Sequence, residues 1–448
     1  MLLCMLEVLR LQLPQVRRLN LSLPEGSITS TRSRLNTGAG PIWEIVGQAT
    51  QLTELQLLLE DCCRPGLVAL GLSALLPLSS TLCDLLIHQD GDIQVEAESQ
   101  SATECWHSLS HLICLTSLDL DLNSSRTGLS AIQSCTALRR LQLYFKGHPL
   151  SEAGCRPSIE ECAALAQLTG LTELLLVPLK LTPLFAQSRA ADGAEAVALK
   201  SMMQHLQQLQ QLNLSGLYDL DCSFLPVLAC LPRLTYLECS WAPNIEFGWQ
   251  GTKCSQILYH KTDGKGIPVQ ALPELTSLVT QAPLKLSQLA DVACHCKKLK
   301  ELDVISLTGP LLVPNAERGA ALRSLTALQL LTQLQIGVQD DIEVAAITEL
   351  IQLQHLHLSI RASSTVSPVL LASLCKLTQL CYLRLNLRIR LTEQEARGLL
   401  YALGGAVRCV EIDTTSDQQE SFKAAISAAQ AAGVPLPRKL TLCNQSLI

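Results

Sequence analysis

The chain has 448 residues, 48% of them hydrophobic and 17% charged, with a formal net charge of -6 and a sequence pI near 5.9. There is ample apolar material for a continuous core, and the acidic balance excludes a global attraction to nucleic acid or to an anionic membrane surface. Leucine alone supplies 94 residues while aromatics make up only 3%.

The chain starts with MLLCMLEVLRLQL, an apolar stretch broken by Glu7, with no basic leader and no small-residue cleavage site, so a signal peptide is not expected. From Val16 onward a single phrase, L-x-x-L-x-L, dominates. Its three anchors stand at Val16/Leu19/Leu21, Leu52/Leu55/Leu57 and Leu82/Leu85/Ile87, and twelve further copies follow, ending with Val407/Val410/Ile412 and a degenerate Leu440/Leu442. Measured between middle anchors, the period runs from 22 residues (Leu334 to Leu356) to 41 (Leu237 to Leu278), a range that means a solenoid. The L-x-L core alternates with period two and predicts a short strand with both leucines on one side.

Between copies the pattern turns helical. The intervals 93 to 113, 156 to 168, 190 to 211, 283 to 298 and 341 to 352 read as helices. In 391 to 403, Thr392 and Glu395 form a capping box ahead of an Ala396, Leu399, Leu400, Leu403 stripe. Ser367-Pro368 reads as the start of another helix. One strand and one helix cannot bury their apolar faces alone, so each repeat must stack on the next, giving a single array of about fifteen irregular units over 1–448.

Two segments break the rhythm. Residues 24–41, rich in Ser, Thr and Gly, predict a surface loop. Residues 241–269 predict an insertion loop that gathers Trp241, Phe247, Trp249 and Tyr259 in a chain otherwise poor in aromatics. Pro65 to Cys83 is uncharged and nearly long enough to span a bilayer, but Pro77, its serines and its place between two copies of the phrase make it a buried helix of one repeat.

The nineteen cysteines show no extracellular framework, and Cys114, Cys135, Cys230 and Cys239 sit where a small apolar residue belongs, so they read as buried free thiols. Cys294-His295-Cys296 offers zinc-type ligands, yet no second pair stands at ligand spacing, and Lys297, Lys298 and Lys300 mark the segment as a helix C-terminus. No nucleotide-binding, hydrolase or metalloprotease motif occurs. No cofactor, metal or small-molecule substrate is expected, and the chain reads as no enzyme.

The phrase, including LTELQL, LTSLDL, LTELLL and LTQLQI, resembles the leucine-rich repeat family over nearly the whole chain, in its ribonuclease-inhibitor-like and plant or green-algal intracellular branch. The resemblance implies an α/β solenoid, a horseshoe with a concave parallel β-sheet and convex helices, that binds protein partners. It also implies an intracellular, cytoplasmic place, with the cytoskeleton or ciliary axoneme as a finer expectation. The family's asparagine after the last anchor is met by Asn123, whereas Glu60, Lys146, Leu217, Gln339, Arg361 and Arg388 stand there in other copies.

On the wall formed by residues flanking the inward leucines, the centre is acidic: Asp84, Asp119, Asp121, Glu173, Glu238, Glu301 and Asp303 face one base, Arg140. Farther along come His355 and His357, then Arg384, Asn386, Arg388 and Arg390, an outward stripe that could clamp a carboxylate or phosphate or be balanced by Glu411 and Asp413 of the next repeat. Tyr144, Tyr236 and Tyr382 add contacts that interfaces favour. The sequence thus predicts a non-enzymatic scaffold that binds a protein partner through this face and its edge loops, with no nucleic acid and no membrane span. A ubiquitin-ligase substrate-recognition subunit without its F-box and a GTPase-activator-like regulator are the alternatives.

Overall fold

The structure, a computed structural model, describes residues 15–23, 46–59, 72–89, 107–122, 126–145, 159–178, 193–214, 227–239, 269, 272–280, 284–304, 307–308, 315–360, 367, 371, 373–387, 391–404, 406–414 and 416–444. These fall into two compact units, one through Arg233 and one from Leu234 on.

In the first unit seven strands run parallel in chain order: β1 (Arg18–Leu23), β2 (Glu54–Leu59), β3 (Asp84–Gln89), β4 (Ser117–Leu122), β5 (Arg140–Phe145), β6 (Glu173–Pro178) and β7 (Gln211–Leu214). The second unit continues with β8 (Tyr236–Cys239), β9 (Ser277–Thr280), the two-residue β10 (Leu284–Lys285), β11 (Glu301–Val304) and a second two-residue strand, β12 (Leu307–Thr308). It ends with β13 (Gln333–Val338), β14 (His355–Ile360), β15 (Tyr382–Leu387), β16 (Cys409–Thr414) and β17 (Lys439–Asn444). Its sheet order is β8-β9-β11-β13-β14-β15-β16-β17, while β10 and β12 pair with each other.

Every copy of the phrase is one strand, and the register keeps the anchors level. In the second unit Leu237, Leu278, Leu302, Leu334, Leu356, Leu383 and Val410 lie side by side, none more than 2% exposed. Each buried leucine contributes about 1.5–3 kcal/mol against the entropy of ordering its repeat, so stability accumulates by stacking.

The strand is preceded by a fixed approach that reaches one anchor farther back than the phrase itself. Ala49, Leu112, Cys135, Leu168, Leu206, Leu231, Leu272, Cys296, Leu328, Leu350 and Leu377 all stand three residues before the first anchor and all are buried. In ten of these repeats the first anchor's N–H donates back to that residue's carbonyl at 2.8–3.2 Å, closing a tight turn.

A threonine follows the first anchor in many repeats, and its hydroxyl locks one repeat to the previous one. Thr53 donates to the Arg17 carbonyl at 3.0 Å, Thr116 to Cys83 at 3.1 Å and Thr172 to Arg139 at 3.0 Å. In the second unit Thr276 donates to Thr235 at 3.1 Å and Thr332 to Lys300 at 3.4 Å. The same carbonyls also accept the backbone N–H of the threonine and of the next residue. This ladder stands at the strand's start, where the family's asparagine would stand after its end; Asn123 lies outside the described residues.

The described helices are α1 (Ile159–Leu165), α2 (Gly193–His205), α3 (Leu286–His295), α4 (Asn315–Arg323), α5 (Asp341–Ile347), α6 (Glu393–Gly404) and α7 (Ser416–Ala431). The capping box is formed at α6: the Glu395 carboxylate accepts the Thr392 N–H at 2.8 Å, and the Glu395 N–H donates to the Thr392 hydroxyl at 3.3 Å. Neither α4 nor α7 is expected from the sequence; α7 buries Phe422, Ala425 and Ala429, a stripe whose alanines are too small to stand out by hydropathy. Only 23 residues separate Leu118 from Leu141, and Arg126–Ser134 there is a 3₁₀-helix, which spans more length per residue than an α-helix. Of the predicted helix 93 to 113 the described part, His107–His111, is likewise 3₁₀. Beyond Ser367, the described part of that interval holds the 3₁₀ turn Ser373–Lys376. Within Pro65 to Cys83 the described Ser73–Leu78 is 3₁₀ rather than α, with Leu75 and Leu78 buried. No helix among the described residues is long and apolar enough to cross a membrane.

One close approach and one left-handed turn shape the end of the second unit. A Cβ on Gly404 would collide with the Pro435 carbonyl oxygen, and Gly433, just past α7, takes φ +63°, the left-handed conformation that ends a helix. A buried network joins α4 to α5. Arg318 donates to Glu343 at 2.5 Å and to Gln339 at 2.8 Å, while Glu343 also accepts the Gln339 N–H at 2.6 Å. Asp340 caps α5 by accepting the Glu343 N–H at 2.9 Å.

Among the described cysteines Cys135, Cys239 and Cys296 are buried free thiols, raised by burial, to about 11 in Cys135 and Cys296. Cys114, in a turn, and Cys230, at the end of a 3₁₀ stretch, are only partly buried. Cys294 and His295 face solvent while Cys296 points into the core, so the trio does not converge on one point. Among the described residues no group of three His, Cys, Asp or Glu could hold a metal ion.

Candidate protein-binding face

Alternation along each strand buries the anchors and turns their neighbours out, so register alone arranges the outward residues in rows. In the first unit the rows are knitted together. Arg140 Nε donates to Glu173 Oε2 at 2.9 Å, Gln142 donates to Glu173 Oε1 at 3.2 Å, and the Tyr144 hydroxyl donates to Gln142 at 3.2 Å. His88 Nε2 lies 3.3 Å from Asp119 Oδ1, and its ring is 5.1 Å from that of Tyr144. Asp121 pairs in register with Tyr144. The acidic centre expected here is therefore partly neutralised: Glu173 is engaged by Arg140, and His88, absent from the sequence reading, approaches Asp119.

In the second unit one row runs Tyr236, Ser277, Glu301, Gln333, His355, Tyr382. The row beside it runs Glu238, Val279, Asp303, Gln335, His357, Arg384, Glu411. A depression of about 240 Å³ opens between them, lined by Glu301, Asp303, Gln333, Gln335, His355, His357, Tyr382 and Arg384. The sequence reading passed over Gln333 and Gln335 because they are uncharged; their signal is the outward offset that they share with Glu301 and Asp303.

The electrostatics are uneven. Ser277 donates to Glu301 at 2.7 Å and Tyr236 to Glu238 at 2.7 Å. Burial, reinforced by the Glu301 and Glu238 charges, pushes the Asp303 carboxyl up to about 6. Burial and the Arg384 charge lower His357, whose Nδ1 lies 2.6 Å from Gln335 Oε1. The Tyr382 hydroxyl donates to Glu411 Oε2 at 2.7 Å, and burial with that bond pushes it up to about 12. The rings of His355 and Tyr382 lie 5.9 Å apart.

The expected three-arginine clamp takes a different form. Arg384 is held two-pronged by Asp413, at 2.8 and 3.3 Å, which raises it further, so its charge is already matched by the next strand. Asn386 sits on the same strand with its Oδ1 buried and without a hydrogen-bond partner. Arg388 and Arg390 lie outside the described residues, as do Trp241, Phe247, Trp249 and Tyr259 and the loops 24–41 and 241–268.

One L-x-x-L-x-L phrase per strand, stacked in parallel with a helical return between strands, decides the fold. The chain has the leucine-rich repeat fold. No family model matches this chain, and no curated protein does. Among solved structures it is similar to one of a complex of Rad7 and Elc1 in yeast, at 15% identity and a TM-score of 0.44, covering 78% of this chain and 82% of that one. It is similar to the leucine-rich repeat-containing protein LegL7 from Legionella pneumophila at 13% identity and a TM-score of 0.34, over 74% of this chain and 94% of that one. The Arabidopsis receptor kinase HAESA ectodomain, in complex with a peptide hormone ligand, is similar at 12% identity and a TM-score of 0.27, over 83% of this chain and 64% of that one.

Proposed function

We propose that this leucine-rich repeat protein is a non-enzymatic scaffold that binds a protein partner on the outward face of its sheet. The observation that carries the reading is the second unit's face, where tyrosine, histidine, glutamine and carboxylate side chains flank a 240 Å³ depression. Aromatic, amphipathic groups that are half-buried before any partner arrives lose little freedom on binding, which is how interface anchors act.

The test replaces Gln333, on the rim, and Glu420, exposed on α7, in turn by a photo-crosslinking amino acid and irradiates the full chain in cell extract. Protein adducts are expected from position 333 and not from 420. Equal labelling from both positions, or none from 333, would refute binding at this face.

A further inference from the structure

Resting on that reading, we propose that the partner presents an extended basic segment across β8 to β15, with one arginine or lysine side chain entering the depression beside Asp303. Three observations converge on this chemistry.

The first is charge. Glu301 and Asp303 are successive outward residues of β11, Glu238 stands in the Asp303 row on β8 with Val279 of β9 between them, and the cation that lines the depression, Arg384, is already held by Asp413. The second is a shortage of donors. With Gln335 Oε1 accepting from its Nδ1, His357 presents a bare Nε2, and both that nitrogen and Asp303 Oδ1 are buried acceptors without a hydrogen-bond partner. A guanidinium carries five N–H donors and no acceptor, an ammonium three. Turning the Asp303 carboxylate toward the depression exchanges an unmatched oxygen for such donors. The third is aromatic: His355 and Tyr382, whose rings lie 5.9 Å apart, line the same depression two and three strands from Asp303, and ring surfaces favour a cation. Six strands at about 4.8 Å spacing span about 24 Å, the reach of roughly seven extended residues.

Binding a cation here moves a proton. The groups facing Asp303 are Glu301 on its own strand, Tyr236 and Glu238 on β8, and His355 and His357 on β14, with Tyr382 and Arg384 beyond; β9 and β13 present only Ser277, Val279, Gln333 and Gln335. The carboxyl, near 6 when the face is empty, must ionise to hold the cation. Affinity therefore rises with pH, by about fourfold between pH 5.5 and 7.5.

The experiment is calorimetric titration of the full chain with a nonapeptide of alternating arginine and serine, and with its glutamate-for-arginine counterpart, at 0.15 M salt and at both pH values. The arginine peptide is expected to bind, about fourfold tighter at pH 7.5; Asp303→Asn should weaken it at least tenfold at pH 7.5 and flatten the pH dependence, while Glu420→Gln leaves both unchanged. Unaltered binding by Asp303→Asn, preference for the glutamate peptide, or no binding of either would overturn the proposal. If position 333 still crosslinks to a protein in that last case, the scaffold reading stands and only the basic character falls.

Discussion

Asp303 is the residue where the face acts against the fold. Its folded-state value, about 6, lies above the ordinary 3.8, so the native state holds the proton more tightly than the unfolded chain. The associated stability is fully present below about pH 3.8 and is lost as pH rises through about 6. Asp303→Asn is therefore expected to raise the unfolding free energy from urea titration at pH 7.5, by about 1 kcal/mol once solvent screening of this partly exposed group is allowed for, and to leave it unchanged near pH 3.5. Arg384 has the opposite character: Arg384→Ser strands the Asp413 carboxylate, only 4% exposed, and is expected to cost about 2 kcal/mol, recovered in part by adding Asp413→Asn. A melt of the single and double variants checks this. That pairing was half legible in the sequence, where Glu411 and Asp413 stood as balancing charges of the next phrase: Glu411 holds the offset matching Arg384, yet Asp413, the next outward residue, makes the bond. The protonation of Asp303 was not, because it depends on a depth that spacing does not encode.

At the scale of elements the strands were legible almost residue by residue, since a period of two with leucine anchors admits one reading. The approach to each strand was not, because cysteine and alanine interrupt the leucine pattern at Ala49, Cys135 and Cys296. The threonine ladder hid in plain composition, as threonine beside an apolar anchor reads as ordinary strand sequence. Thr172→Val in the first unit and Thr276→Val in the second keep the shape and remove the hydroxyl, and each is expected to cost about 1 kcal/mol, with faster amide exchange confined to the strands it joins. The α4 to α5 network carries more. Arg318→Met leaves Glu343, fully buried, without its cation, and about 3–5 kcal/mol should be lost in a urea titration; Glu343→Gln in the same chain should return part of it. α7 was missed because alanine carries most of its buried stripe.

At the scale of the whole molecule, stability is a sum over neighbouring repeats, so damage stays local. Leu212 is fully buried in β7, and Leu212→Asp places an unpaired carboxylate in the first unit's core. Hydrogen exchange should then show loss of protection in β5 to β7 with β13 to β16 unaffected; uniform loss across both units would mean that the array melts as one body. The strands and their stacking were read from repetition and the parallel sheet was implied by the family resemblance, whereas the identity of a partner is carried by outward side chains that the repeat leaves free to vary.

The threonine ladder and the tight turn before it fix the chain on one flank of the sheet: from the turn residue to the second strand anchor the count is constant, whereas from that anchor to the next turn it ranges from 14 residues (Ile336 to Leu350) to 33 (Cys239 to Leu272). All variation in length has therefore accumulated downstream of the strands. A peptide tag or reporter spliced between Thr53 and Glu54 would put the Thr53 hydroxyl and the Glu54 N–H out of step with the Arg17 carbonyl that both share, while the same splice between a strand's last residue and the following helix lengthens an interval that already varies more than twofold. The molecule is in this sense addressable from one side only, and labels, fusions and grafted recognition loops belong on the downstream flank.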